Sequence, residues 1–367
     1  MNKNIIILHD VDGRIYFDGI KKLYNDEKLD DIKYFESIVI KRLIKSLLLK
    51  KISINVLRVF LKNFIFRLKV PFIQNQVILL GMAPYNIRFL WYGLLARKNK
   101  VIYHTSWPYW WTENVPCKLP FLNGILKKIF IFYFNNFNFY YCGISEQSTN
   151  SLSNCINKKD LIFTIPHAVD LSIFKREVEC SRDNNIVEIV FVGRMVKEKG
   201  ILELIELVKR CSKRYNFTFV GDGELLDVLV KQVGGYDNVK IKGRINDKME
   251  IAKLMAKSDI FILPSRKVDG WEELFGISII EAMASSLVVI STNHVGPKEI
   301  ITHNKNGFIL SDDDELVENI YKLVDGIDLN SDSIINMRKL AVNRANDYSI
   351  DNVSIMWSKL LDNIQTK

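Results

Sequence analysis

Short apolar runs alternate along the 367-residue chain with stretches whose apolar positions return every three or four residues. In the first half, residues 4–8, 77–80, 100–104, 139–143 and 161–165 read as buried strands. A long aromatic helix is predicted around residues 121–137, and another from Ser145. Residues 167–185 have mixed charge and no clear period, as a linker would. The pattern then restarts with apolar runs at 187–192, 217–220, 239–242, 260–263 and 288–291, separated by helical stretches such as 202–210 and 249–257. The length exceeds what one hydrophobic core usually supports. Strand and helix alternate in both halves, so the expected fold is α/β, with two doubly wound parallel sheets covered by helices. Such sheets bind ligands at the carboxyl ends of their strands, which places His104 at the edge of a binding site.

Composition adds little, since 48% hydrophobic and 25% charged residues describe an ordinary globular protein. The net charge of +9 says more, because it is unevenly placed. Residues 1–170 hold 24 Lys and Arg against 12 Asp and Glu, whereas residues 171–367 hold 27 against 30. Between Ser37 and Ser145 the only acid is Glu113, against sixteen cations. That region contains two basic amphipathic patterns. Ile40, Leu43, Ile44, Leu47 and Leu48 oppose Lys41, Arg42 and Lys45, and Leu57, Phe60, Leu61, Phe64, Ile65 and Leu68 oppose Arg58, Lys62 and Lys69. Their apolar faces either pack on a sheet or dock on an anionic bilayer, and taken together they favour membrane contact. No nucleic-acid motif accompanies the charge, so no nucleic-acid partner is expected.

The apolar part of residues 1–8 is too short for a signal peptide, and no window is long and apolar enough to span a membrane. A cytoplasmic protein held peripherally at the inner membrane face is the expectation. The five cysteines, Cys117, Cys142, Cys155, Cys180 and Cys211, are scattered without a Cys-x-x-Cys pair, which argues against a disulfide framework or a zinc site.

Two segments carry candidate chemistry. Phe191-Val192-Gly193-Arg194-Met195-Val196-Lys197-Glu198-Lys199-Gly200 links a strand to a helix. Gly193 permits the turn, and the helix opened by Gly200 directs partial positive charge toward an anion. Arg194 and Lys199 flank the turn, where a guanidinium fork and a mobile ammonium can hold a diphosphate; the alternative is a pair of solvent-facing loop cations. Exposed there, both would contribute little to folding. The second segment runs from Pro264 through Glu272-Glu273-Leu274-Phe275-Gly276 to Glu281 and Ala284. Glu273 precedes a Phe-Gly turn whose amides face the pocket, and Glu281 lies in an otherwise apolar helix where a carboxylate needs a partner. Sugar hydroxyls suit the first and ribose hydroxyls the second, with a structural salt bridge as the alternative.

These segments resemble the retaining glycosyltransferases of family 4, with the GT-B fold. The resemblance extends over residues 144–174 and most of 187–310, including Ser145-Glu146, Ile165-Pro166-His167-Ala168-Val169-Asp170, Gly221-Asp222-Gly223, Gly243, Glu299-Ile300-Ile301 and Gly307-Phe308. It implies two Rossmann-like domains facing a cleft: residues 1–170 on the acceptor side, residues 171–349 binding a nucleotide sugar, and a C-terminal helix over 350–367 returning to the first domain. It further implies that Arg194 and Lys199 bind the donor diphosphate and that Glu273 binds the transferred sugar, helped by the Phe275 and Gly276 amides. Glu281 would hold the ribose, and the base would rest near Gly243 and Arg244. His104 sits where a histidine commonly lines the family's cleft; the alternative is a loop histidine among Trp107, Trp110 and Trp111, themselves a possible aromatic patch for sugar or lipid. His167 occupies a position usually held by Asn and is expected to be structural.

After the first strand the chain reads His9-Asp10-Val11-Asp12-Gly13-Arg14, with one glycine where family members often have a Gly-Gly loop. Asp10 and Asp12 have the spacing of an Asp-x-Asp metal motif, but this is not the place where the other major glycosyltransferase fold carries it. No metal and no cofactor is therefore expected. The implied activity is transfer of a sugar, with retention, from a nucleotide-sugar donor to a glycan or lipid-linked saccharide of a bacterial surface polysaccharide. A soluble enzyme acting on a small metabolite or protein, and a silent nucleotide-sugar-binding protein, are the alternatives. A nicotinamide-dependent dehydrogenase is disfavoured because no Gly-x-Gly-x-x-Gly follows the first strand.

Overall fold

The computed structural model describes residues 4–10, 12–38, 43–44, 47–48, 53–110, 122–154, 156–175, 186–268 and 270–366. The chain divides into two compact units, Met1–Ala168 with Ile350–Lys367, and Val169–Ser349. In the first unit β1 (Asn4–His9), β2 (Asp31–Glu36), β3 (Val77–Gly81), β4 (Lys100–Thr105), β5 (Phe139–Gly143) and β6 (Ile162–Thr164) form one parallel sheet in the order β2-β1-β3-β4-β5-β6. A parallel sheet is buried on both faces, so its inner strands are apolar throughout instead of alternating. Ile6, Leu8, Ile78, Leu80, Val101 and Tyr103 face one core, under Phe130 and Phe134 of the helix Asn123–Asn136. Ile5, Ile7, Leu79, Ile102 and Cys142 face the other, under Ile20 and Leu23 of the helix Asp18–Asn25. The helix Ile350–Thr366 completes this second core with Val353, Trp357, Leu360 and Ile364.

Strand β2 and the helix Asp18–Asn25 have no counterpart in the sequence pattern. β2 lies at the sheet edge, and its Asp31, Lys33 and Glu36 interrupt the apolar run that marks an interior strand. The helix Ile54–Lys69 is present where a basic amphipathic helix was expected, but it does not seat its apolar stripe on the sheet. Its buried residues are Asn63 and Phe66. Asn63 accepts a 2.9 Å hydrogen bond from the Glu36 backbone N–H at the sheet edge, and Phe66 stacks on Phe35 with ring centres 3.9 Å apart. Leu57, Leu61, Phe64, Ile65 and Leu68 are left exposed. The other amphipathic pattern lies mostly outside the described residues, although Ile44, Leu47 and Leu48 are described and exposed.

Trp110 is not part of a surface patch: it is 2% exposed, edge-on to Tyr85 and Tyr103. Trp107 is half-buried against the same core, and Trp111 lies outside the described residues. Cys142 and Cys211 are free thiols; Cys117, Cys155 and Cys180 fall outside the described residues. Among the described residues, no helix is long and apolar enough to cross a membrane.

The second unit repeats the plan. β7 (Val187–Val192), β8 (Tyr215–Val220), β9 (Val239–Ile241), β10 (Ile260–Leu263), β11 (Val288–Thr292) and β12 (Phe308–Leu310) form a parallel sheet in the order β12-β11-β10-β7-β8-β9. The chain enters at β7, builds outward to β9, then returns to the other side of β7 with β10. The order therefore reverses between β7 and β10, the position at which sheets of this kind place their ligands.

The C-terminal helix gives the clearest stability test. Trp357 is 2% exposed in the second core of the first unit, edge-on to Phe17 at 6.1 Å. Trp357→Ala is expected to cost about 3–5 kcal/mol, measured as a lower urea midpoint for the full chain.

Candidate functional site

Two loops meet at the reversal point of the second sheet. The first leaves β7 through Gly193 and Arg194 and passes Lys199 to reach the helix Ile201–Arg210. The second leaves β10 through Pro264 and reaches Gly276 at the start of the helix Ile277–Ala284. Their backbones touch: the Arg266 N–H donates to the Glu198 carbonyl at 3.0 Å. Gly200 has φ +73°, and a Cβ there would lie 2.1 Å from the Pro264 carbonyl oxygen, so only glycine lets the loops approach this closely.

That approach brings Lys199 and Glu273 together as an ion pair, with side chains only 14% and 11% exposed. The Lys199 ammonium also stands 5.2 Å over the Trp271 ring. Arg194, in contrast, is exposed and makes no ion pair among the described residues. The expectation of two exposed cations therefore holds for Arg194 and fails for Lys199. Enclosure between loops makes Lys199 part of the folded structure as well as a candidate ligand for anions.

Glu281 behaves differently from Glu273. It is 8% exposed within the apolar helix Ile277–Ala284, and no side-chain hydrogen bond reaches it among the described residues. Burial pushes its carboxyl up to about 7, with Lys248 acting weakly in the opposite direction. Phe275 is buried, its ring 5.8 Å from that of Tyr348, and Gly276 adopts φ +113° at the helix start. On the far side of β7, the Gly193 N–H donates to Val220 and the Gly221 N–H to the Gly243 carbonyl, at 3.0 and 2.7 Å. These bonds bring Gly243 and Arg244 into the same row of strand ends, with Arg244 exposed and bonded to Asn246 at 2.9 Å. A separate cavity of about 440 Å³ lies at the amino ends of β8 and β9, lined by Lys213, Asn216 and Asn238, away from these loops.

His104 belongs to the first unit. It occupies the penultimate position of β4 and is 6% exposed. Its ring neighbours are Phe17, His167 and Trp357, at 5.0, 6.0 and 6.3 Å, and not Trp107 or Trp110 of the loop-histidine alternative. Register pairs His9 with Gly81 and Gly81 with His104 across the carboxyl ends of β1, β3 and β4. The His9 ring lies across Gly81 and 5.1 Å from Tyr16, which in turn is 5.4 Å from His167. Burial lowers the His104 imidazole well below its ordinary value and brings His167 down to about 4, so both are neutral at physiological pH. His9 and Tyr16 were not singled out from the sequence; the position of His9 at the end of the first strand was the available signal. Asp10 pairs with Arg88 at 3.2 Å and Asp12 with Arg14 at 2.6 Å, which gives both acids of the Asp-x-Asp spacing protein partners.

Residues 176–340 match the family model described as Glycosyl transferases group 1. The second unit is a group 1 glycosyltransferase domain. Over 135 residues the chain is 31% identical to the amylovoran biosynthesis glycosyltransferase AmsK of Erwinia amylovora, covering 35% of this chain and 33% of that one. The chain spans a third to about half of the length of the curated relatives it matches. Among solved structures, the glycosyltransferase from Rickettsia africae ESF-5 superimposes with TM-score 0.66 at 17% identity, covering 99% of this chain and 98% of that one. Anabaena Alr3699/HepE in complex with UDP and glucose superimposes with TM-score 0.65 at 16% identity, covering 98% and 99%. The fold is accordingly GT-B.

In this glycosyltransferase domain the raised Glu281 carboxyl has a measurable consequence. It ionises near pH 4.5 when unfolded and near 7 when folded, so the folded state binds more protons in between and stability falls as pH rises from about 4.5 to about 7. Glu281→Gln should remove that slope and leave the unliganded protein more stable than wild type at pH 8, which melting temperatures across pH 5–8 will show.

Proposed function

We propose that the chain is a retaining glycosyltransferase that moves a sugar from a nucleotide-sugar donor to a glycan acceptor, in bacterial surface polysaccharide synthesis. The convergence of Arg194, Lys199 and Glu273 at the reversal point of a group 1 glycosyltransferase domain carries this reading. The relative named for amylovoran biosynthesis and the HepE complex with UDP and glucose support its two halves, the acceptor class and the donor class.

In the proposed reaction the bond between the anomeric carbon and the diphosphate oxygen breaks, and the nucleoside diphosphate leaves with the electron pair. An acceptor hydroxyl bonds to the same face of that carbon and gives its proton to the departing phosphate oxygen. Arg194 and Lys199 take up the charge that grows on the diphosphate, a task assigned to these cations and not to a metal ion or cofactor. As the diphosphate binds Lys199, Glu273 exchanges an ammonium partner for hydroxyls of the transferred sugar. Glu281 accepts the ribose hydroxyls, the Phe275 and Gly276 amides face the sugar, and the base rests by Gly243 and Arg244. His104, neutral, donates or accepts a hydrogen bond at the donor sugar.

The acceptor is proposed to be lipid-linked, with the first unit seated peripherally on the anionic inner face of the cell membrane. The helix Ile54–Lys69 turns Leu57, Leu61, Phe64, Ile65 and Leu68 outward, and Arg58, Lys62 and Lys69 stand on the same helix. An unpartnered apolar stripe within a strongly cationic region fits a bilayer of anionic lipids.

A calorimetric screen of UDP, GDP, ADP and TDP sugars tests the donor reading; binding of none would end it. Arg194→Ala should lower turnover by about 10²–10³ with melting temperature unchanged. Lys199→Ala should lower turnover as much and also destabilise the fold by about 3 kcal/mol, since it leaves Glu273 enclosed without its partner. Near-wild-type turnover of the double variant with saturating donor would remove both cations from the mechanism.

The membrane part is tested separately. The chain should bind phosphatidylglycerol vesicles more tightly than phosphatidylcholine vesicles at low salt, and Leu61→Glu with Ile65→Glu should weaken that binding at least tenfold while leaving the melting temperature in place. Equal affinity for the two vesicle types would refute the electrostatic contribution.

A further inference from the structure

His294 has no exposed surface, and its imidazole lies between two partners. It follows β11 and precedes the short helix Val295–Ile300. Its Nδ1 accepts the backbone N–H of Glu273 at 3.0 Å. Its Nε2 lies 3.0 Å from the Asp312 carboxylate. Because Nδ1 accepts, the ring proton is on Nε2, which donates to Asp312. Asp312 is held in turn by the Arg266 guanidinium at 3.0 Å and the Lys267 N–H at 2.7 Å.

The same turn holds the rest of the Glu273 loop. The Gly296 N–H donates to the Glu273 carbonyl at 2.9 Å, and the Val295 N–H donates to the Glu272 carboxylate at 3.2 Å. At Gly296 a Cβ would lie 2.1 Å from the Phe275 carbonyl oxygen, so the turn presses directly on the loop's backbone. Both polar backbone groups of Glu273 are thus satisfied by residues 294 and 296, and the direction of its side chain toward Lys199 follows from that anchorage.

We propose that His294 is a positioning residue for Glu273: through Nδ1, with its tautomer fixed by Asp312, it sets the backbone from which Glu273 reaches the donor sugar. The proposal rests on Glu273 acting at the donor, as argued above. A carboxylate carried on a loop keeps a productive geometry only if its backbone cannot drift, and a misplacement near 1 Å costs about 10² in rate. Asp312 orients the imidazole without touching substrate, as an outer partner orients a functional histidine.

The test compares His294→Leu, which lacks an acceptor, with His294→Asn, whose Oδ1 takes the place of Nδ1. In His294→Leu the Glu273 amide should exchange with solvent at least tenfold faster by NMR of the full chain, and kcat with UDP-glucose should fall about 10² with donor KM within about threefold. His294→Asn should keep both values near wild type. Unchanged Glu273 exchange in His294→Leu, or equal losses in both variants, would assign His294 to packing alone and overturn the proposal. If the wild-type chain turned over no UDP-glucose, the donor reading would be at fault, and the exchange rates would decide the role of His294 without it.

Discussion

The close approach of Gly200 to Pro264 is the constraint on which the chemistry of the second unit depends. It places the loops from β7 and β10 in backbone contact and thereby encloses Lys199 and Glu273 as a pair. Two charges withdrawn from water are costly unless each satisfies the other, so in the unliganded protein the pair is a structural necessity. The proposed function adds a second role to the same enclosure. In the reaction proposed above, an arriving diphosphate takes over the ammonium and Glu273 turns to hydroxyl groups of the sugar. Cations and acceptors fixed before a substrate arrives need little reorganisation during a reaction.

Three glutamates within ten residues show how environment divides identical side chains among tasks. Glu272 is anchored by the Val295 N–H and by Lys267, and works as a brace. Glu273 is enclosed with Lys199 and aimed by the His294 turn. Glu281 is buried on an apolar helix with its carboxyl raised to about 7. Its burial weakens the fold as pH rises, a loss that the ribose contacts proposed above offset.

The first unit carries a different kind of tension. Its helix Ile54–Lys69 docks through Asn63 and Phe66, because the edge strand β2 presents an N–H and an aromatic face to satisfy. That choice leaves the larger apolar stripe outward, which a protein in water tolerates only at a cost in solubility. The C-terminal helix packs by Trp357 into the opposite face of the same sheet, and the membrane contact proposed above gives the stripe a counterpart in an anionic interface.

From the sequence alone one could read the two parallel sheets, because buried strands in such sheets are unbroken apolar runs that need no tertiary information to recognise. The turn from Gly193 to Gly200 and the segment from Glu273 to Glu281 were legible for a related reason: glycines at strand ends and an acid in an apolar helix violate local expectation wherever they occur. Edge strand β2 escaped because half its surface is wet and its composition follows. The sequence could not say that Lys199 and Glu273, 74 positions apart, would neutralise each other, while Arg194 makes no ion pair among the described residues. Nor could it say that the face of the helix Ile54–Lys69 with fewer apolar residues would be the buried one. His294 was invisible for the same reason: a lone histidine after a strand has no local signal, and its function arises only where β11 delivers its ring between an amide on one loop and a carboxylate on another. Local pattern determines which residues must be buried; which partner each meets there is decided only when distant strand ends are brought together.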